Sequence, residues 1–407
     1  MTVIDQAPLP GPAVVAFGGG HGLAASLRAL RRITHHLTAV VTVGDDGGSS
    51  GRLRAEFGAL PMGDLRMALA ALAGPDTWSS TWAELFQHRF GGDGPLAGHA
   101  VGNLVLTALA ERHGSPVDAL DLAGRLLGVA GRVLPLSDDG IDIVARVAGL
   151  DPADPHATVE VRGQAAVATT AGRVVSLCLQ PAKPAACPQV LTAIDTAEWI
   201  VFGPGSLYTS VLPHLLVPEI TDRLLGSPAR RVMVLNLVPQ PGETEGYPPE
   251  EHLRVIGTHA PELALDVVIA DPDAVPDPVA LARASAELGA RLHLVPVAHP
   301  GEPRHDPRRL ATAFETVFGL TPGSRPGRPG RPGRPGRPGR PGREEHAGRT
   351  EIFRSGPGPS TGAASGGARA GAGRPVGNDE LVSDEAASTG GTRGGPATAG
   401  RSREGEE

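Results

Sequence analysis

The feature that most constrains this chain is a short apolar run that ends on glycines: Val14-Val15-Ala16-Phe17, then Gly18-Gly19-Gly20-His21-Gly22. An unbroken apolar tetrapeptide predicts a strand buried on both faces, and residues 23–32 behind the glycines have helical character. Residues 37–43 then predict a second buried strand. Strand, glycine turn, helix and strand make a βαβ unit, which requires parallel strands and a right-handed crossover. The pattern resumes at Trp199-Ile200-Val201-Phe202 and runs on through strand-like segments at 231–235, 266–269 and 292–295. Between the two halves, Ile141-Asp142-Ile143 and Val159-Glu160-Val161 alternate apolar with polar, as strands with one wet face do. The predicted class is therefore α/β: a Rossmann-like, mostly parallel sheet with helices on both faces, a β-rich insertion at about 131–180, and a disordered C-terminal tail.

The tail is read from composition. Gly 56 and Pro 40, with aromatics at only 3%, describe an ordered region joined to a low-complexity one. Arg-Pro-Gly repeats occupy 325–343, and Gly, Ser, Thr, Ala and Glu dominate beyond them. Such a segment buries too little apolar area to offset its ordering entropy. The ordered domain is set at 12–322 and the tail at 323–407. A net charge of −7 argues against nucleic-acid binding, which calls for a basic face with interleaved aromatics. Cys178 and Cys187 are expected to be reduced thiols. No leader pattern opens the chain and no stretch approaches ~20 apolar residues, so a cytoplasmic protein without membrane insertion is expected.

Three loops carry the chemistry. In the first, Gly18, Gly19, Gly20, His21 and Gly22 allow a tight turn whose amides approach a ligand, and the following helix N-terminus favours phosphate. The dinucleotide fingerprint is incomplete, because Leu23 stands at the third glycine position, and no Gly-Lys-Ser/Thr makes it a P-loop. The second loop, Gly44-Asp45-Asp46-Gly47-Gly48-Ser49-Ser50-Gly51-Arg52, follows the second strand. Ser49, Ser50 and Arg52 suit phosphate oxygens, while Asp45 or Asp46 could hold a ribose hydroxyl or Mg²⁺. The third, Gly203-Pro204-Gly205-Ser206-Leu207-Tyr208-Thr209-Ser210, repeats the strand-to-glycine-to-helix design, with Gly203 and Gly205 at the turn and Ser206, Tyr208 and Thr209 bearing hydroxyls. If its strand neighbours the first, a diphosphate could be held from both sides. Asp64 is either a helix cap or a second metal or sugar ligand. His99 and Asn103, four apart, share a helix face. Residues 240–244 read as a rim loop.

At these positions the chain resembles the YvcK-type gluconeogenesis factors, a UDP-N-acetylglucosamine-binding group related in fold to 2-phospho-L-lactate transferase (CofD-like). The resemblance rests on Gly18 to Leu23, Asp45 to Arg54, Gly63-Asp64-Leu65-Arg66, Leu85-Phe86-Gln87, Gly98-His99, Gly102-Asn103-Leu104, Gly203 to Val211 and Gln240 to Thr244. His21 stands where Thr is expected, and Met62 where Pro is. The resemblance implies a cytosolic nucleotide-sugar-binding regulator of cell shape and cell-wall metabolism under gluconeogenic growth. Its expected partners are a nucleotide-diphosphate sugar and proteins of cell-wall synthesis, with homo-oligomer formation left open. The alternative it implies is a Mg²⁺-dependent phosphoryl-group transferase, in which acids at Asp46 and Asp64 would serve the metal. No other cofactor is called for.

Overall fold

The structure, a computed structural model, describes residues 11–320; the predicted tail at 323–407 lies outside them. Ten strands are present among those residues: β1 (Val14–Gly18), β2 (Leu37–Val41), β3 (Arg132–Pro135), β4 (Asp142–Ala148), β5 (Thr158–Arg162), β6 (Arg173–Gln180), β7 (Trp199–Phe202), β8 (Arg230–Val234), β9 (Val267–Ala270) and β10 (Arg291–Leu294). Seven form one sheet in the order β10-β9-β8-β7-β1-β2-β3, and every pairing in it is parallel. The central strands β1 and β7 are buried throughout, as an all-parallel sheet covered on both faces demands.

The strand order locates the place where ligands bind in such folds. The chain leaves β1 outward through β2 to β3, then returns to β7 on the other side of β1. The connections after β1 and β7 therefore diverge, and this switch point at the carboxyl edge is where such folds place their ligands. The strand ends there are packed apolar: Phe17 and Phe202 stack with centroids 5.4 Å apart, and the ring of buried His214 meets Phe17 edge-on at 5.1 Å. Each buried aromatic ring contributes roughly 2–3 kcal/mol.

The insertion is smaller than expected. Arg132–Pro135 pairs with β2 and belongs to the main sheet, so only β4, β5 and β6 form the separate antiparallel sheet, in the order β5-β4-β6. A four-residue edge strand is too short to show a period of its own. The short helix Gln164–Ala168 joins β5 to β6. At the end of the described chain, helix Pro307–Phe318 is capped by Asp306, which accepts from the Arg308 and Arg309 amides, and Leu310, Phe314 and Val317 are buried as their spacing predicts.

Candidate functional site

All three predicted loops lie at the same carboxyl edge, after β1, β2 and β7, which are neighbours in the sheet. The first and third are in direct contact. A Cβ on Gly22 would stand 2.2 Å from the Pro204 carbonyl oxygen, so glycine is needed there for backbone to pass backbone. The turn carbonyls are held from below: Ser26 donates to Gly203 O at 2.8 Å, and His214 Nε2 lies 3.2 Å from Gly18 O. Burial pushes His214 down to about 4, so the ring is neutral near pH 7. Asn236, at the end of β8, clasps Gly205 twice, accepting from its amide and donating to its carbonyl, each at 2.8 Å.

The second loop is partly helix. Gly48 starts helix Gly48–Phe57, which places Ser49, Ser50 and Arg52 in its first turns. Their side chains serve the protein's own groups. Ser49 Oγ receives Asn103 Nδ2 and lies 3.0 Å from His99 Nδ1, and Ser50 Oγ accepts from the Gly63 amide at 3.1 Å. Arg52 donates to the Ala97 carbonyl at 2.7 Å and more weakly to Pro95. His99 lies just before helix Val101–His113, with Ala100 as its N-cap, and it reaches Asn103 through Ser49.

Two glycines stay open. Gly20 (φ +57°) and Gly48 (φ +49°) each begin a helix, one after β1 and one after β2. A Cβ on Gly48 would meet nothing within 4 Å, and on Gly20 it would meet only Asp64 Oδ1, at 3.8 Å. Gly19 is the opposite case, since its Cβ would fall 2.5 Å from Asp64 Oδ2, 2.8 Å from Thr42 Oγ1 and 3.1 Å from Ser210 Oγ. Thr42 had no sequence signal of its own, and Ser210 closed the third loop without an assigned role; Thr42 Oγ1 is buried without a hydrogen-bond partner among the described residues.

Asp64 is no helix cap, for helix Met62–Leu72 is capped by Pro61; it sits in the first turn and turns its carboxyl to the Gly19-Gly20 turn. Burial first, then the neighbouring Asp45 carboxylate, raise Asp64 to about 6, while the Gly20 amide and Arg66 pull the other way. The acid coupled to Asp64 is therefore Asp45 and not Asp46. Asp46 faces the insertion and accepts from the Ala165 amide at 2.8 Å, at the start of helix Gln164–Ala168. Asp45 accepts from the Gly47 amide at 3.0 Å, and its Oδ2 would lie 3.1 Å from a Cβ on Gly63. Among the described residues no group of three or more His, Cys, Asp or Glu could hold a metal ion, so a Mg²⁺ here would have two neighbouring carboxylates, Asp45 and Asp64, and would take its other oxygens from ligand or water.

The third loop is already occupied from within. Buried Glu243 accepts from the amides of Tyr208 (2.8 Å) and Thr209 (3.0 Å), and from the Ser206 hydroxyl, at the head of the π-helical turn Leu207–Val211. Burial raises the Glu243 pKa against the pull of these donors. Tyr208 is buried, with its hydroxyl 3.2 Å from that of Tyr247. The rim segment 240–244 thus supplies an anion to the helix end that the sequence offered to a ligand. A lone Glu in a polar loop gives no sequence sign of this.

Similarity to known proteins agrees with this geometry. Residues 14–296 match the family described as 2-phospho-L-lactate transferase CofD. A Mycobacterium leprae protein named "Putative gluconeogenesis factor" is 51% identical over 309 residues, covering 75% of this chain and 86% of that protein. The Bacillus subtilis gluconeogenesis factor is 36% identical over 268 residues, covering 66% and 81%. The crystal structure of a UPF0052 family member from Bacillus halodurans superposes with a TM-score of 0.67 at 32% identity, covering 75% of this chain and 98% of that one. The chain therefore belongs to the CofD family, among its gluconeogenesis factors.

Proposed function

We propose that the protein is a cytosolic regulator that binds a nucleotide-diphosphate sugar of the UDP-N-acetylglucosamine kind and acts on cell shape and cell-wall metabolism during gluconeogenic growth. The observation that carries the reading is the pair Gly20 and Gly48. Two left-handed glycines open two helices from adjacent parallel strands, and neither turn is filled by a side chain. Helix N-termini with no Cβ in the way favour a diphosphate, here beside the Asp64 carboxyl that already takes the Gly20 amide. In this reading the first two turns take the phosphates, while Asp45, beside Asp64, takes a ribose hydroxyl or a Mg²⁺ ion. Gly203, Gly205, Ser206, Tyr208 and Thr209 support the first turn from behind. Among the described residues no helix is long and apolar enough to cross a membrane, which suits a cytosolic partner of cell-wall synthesis proteins. Calorimetry with UDP-N-acetylglucosamine, with and without Mg²⁺, tests this. Saturable binding is expected, and no heat of binding at millimolar ligand rejects it.

A second reading has its own support. The Asp45–Asp64 pair, with Asp64 raised to about 6, is what a metal-assisted phosphoryl transferase of the CofD kind would need. Under it, a nucleoside diphosphate compound and a deazaflavin acceptor incubated with Mg²⁺ would release a nucleoside monophosphate. Absence of that product at enzyme concentrations that bind ligand leaves the regulator.

A further inference from the structure

Beside the glycine turns lies a cavity of about 670 Å³, within the roughly 300–1,000 Å³ of small-molecule sites. It is an open cleft lined by helices Gly20–Leu30, Met62–Leu72 and Thr77–Gln87 and by the two residues that follow the last of these. Arg28, Arg66 and Arg89 reach it from three separate segments, with His21 at one end.

Arg66 is built into the wall. Its side chain is 3% exposed, Nη1 donates to Gln87 Oε1 at 2.6 Å, and Nε has no hydrogen-bond partner among the described residues. Gly102 makes this placement feasible: a Cβ there would fall 2.9 Å from the Arg66 Cγ and Cδ. A buried guanidinium N–H without an acceptor is costly. Arg89 has one tie, from Nη1 to the Gly98 carbonyl at 2.8 Å. None of the three arginines makes an ion pair among the described residues. Against three guanidiniums the lining offers a single carboxylate, Glu84, and behind the wall Asp64 acts on Arg66, so positive charge dominates the lining.

We propose that this cavity is a second binding site, for a dianionic phosphate monoester gripped by Arg28, Arg66 and Arg89, separate from the glycine turns that would hold a nucleotide sugar. Guanidiniums offered from three segments of one wall suit a tetrahedral phosphate better than a planar carboxylate, and Arg66 and Arg89 are near enough to repel one another, which an anion between them would relieve. Glu84 and Gln87 then face the organic part of the ligand, where hydroxyls can be read. The three arginines lie outside the two open turns, and only His21, at one end of the cavity, belongs to the first of them.

The probe is glycerol 3-phosphate, titrated calorimetrically into the full chain, with inorganic phosphate and glycerol as companions. Saturable binding is expected for both phosphates and none for glycerol, weakening as salt rises. The double variant Arg28→Ala/Arg89→Ala removes two exposed side chains and should fold; it is expected to bind at least about tenfold more weakly. Arg66→Lys keeps the charge but loses the planar fork, and a loss of several-fold is expected. Heat for UDP-N-acetylglucosamine, where the wild type gives it, should change by less than about twofold in the double variant. No saturation by either phosphate at about 10 mM, or equal affinity in the wild type and the double variant, overturns the proposal.

Discussion

The first and third glycine turns start from adjacent strands with the same design, yet one is open and the other is filled. At Gly20 the left-handed glycine has open space around it and one carboxyl, Asp64, at its amide, whereas at Ser206 several donors close together on Glu243. Strand-turn-helix geometry creates anion affinity wherever it occurs. Whether a ligand uses that affinity depends on residues far away in sequence: Glu243 is 35 residues from Tyr208. A motif therefore predicts the field at a helix end more securely than it predicts what sits there.

Four changes would break or sharpen this contrast. The largest effect is expected from Gly22→Ala, which drives a methyl group into the Pro204 carbonyl and forces the two turns apart. A loss of more than ~3 kcal/mol in urea unfolding is expected; a loss under 1 kcal/mol, on the same scale, would mean that the turns are not in contact.

The next concerns the open turn. Asp64 has a folded pKa of about 6 against an ordinary 3.8, so its contribution to stability is fully present below about 3.8 and is lost as pH rises through about 6. Between pH 4 and pH 7 the wild type should lose on the order of 2–3 kcal/mol relative to Asp64→Asn, and added Mg²⁺ should shrink that gap. Parallel stability curves for the two proteins would place Asp64 outside any coupled acid pair.

Glu243→Ala tests the filled turn. It leaves the Tyr208 and Thr209 amides and the Ser206 hydroxyl without their acceptor, at a cost of about 2 kcal/mol. Millimolar phosphate should restore part of that loss in the variant and do less for the wild type, as followed by thermal melting. A variant indifferent to phosphate would show that the third turn has no anion affinity to reveal.

Arg52→Ala is expected to do least. Its guanidinium serves exposed carbonyls at Ala97 and Pro95, so about 1 kcal/mol of stability is at stake. Nucleotide-sugar affinity should fall less than about threefold. A loss of a hundredfold would show that Arg52 leaves Ala97 for a phosphate when ligand binds.

Most of the fold was readable because β1, β2, β7 and β9 are largely apolar runs that end on, or within three residues of, a glycine or proline, and such runs have few alternatives to a buried parallel strand. Helix Gly48–Phe57 was read as loop, since its opening Gly-Ser-Ser-Gly has poor helix propensity; Ser49 and Ser50 are held there by His99, Asn103 and Gly63. The same tertiary ties explain why those serines looked like phosphate donors. A hydroxyl in a glycine-rich turn has the same letter whether it faces a ligand or a histidine 50 residues away. Thr77–Gln87 went unread because its two tryptophans and clustered hydroxyls give little helical signal without the Asp76 cap that the Ser79 amide uses.

Asp45 and Asp46 show how finely one loop is divided. They are successive residues on backbone that is not yet helical, so their side chains leave in different directions, one toward Asp64 and the other to the Ala165 amide of the insertion. Removing a single residue between Val43 and Gly47 would exchange those two duties at once. The carboxylate beside Asp64 would be withdrawn and the anchor of the three-stranded sheet lost together, so this short span should tolerate changes of side chain far better than any change in its length.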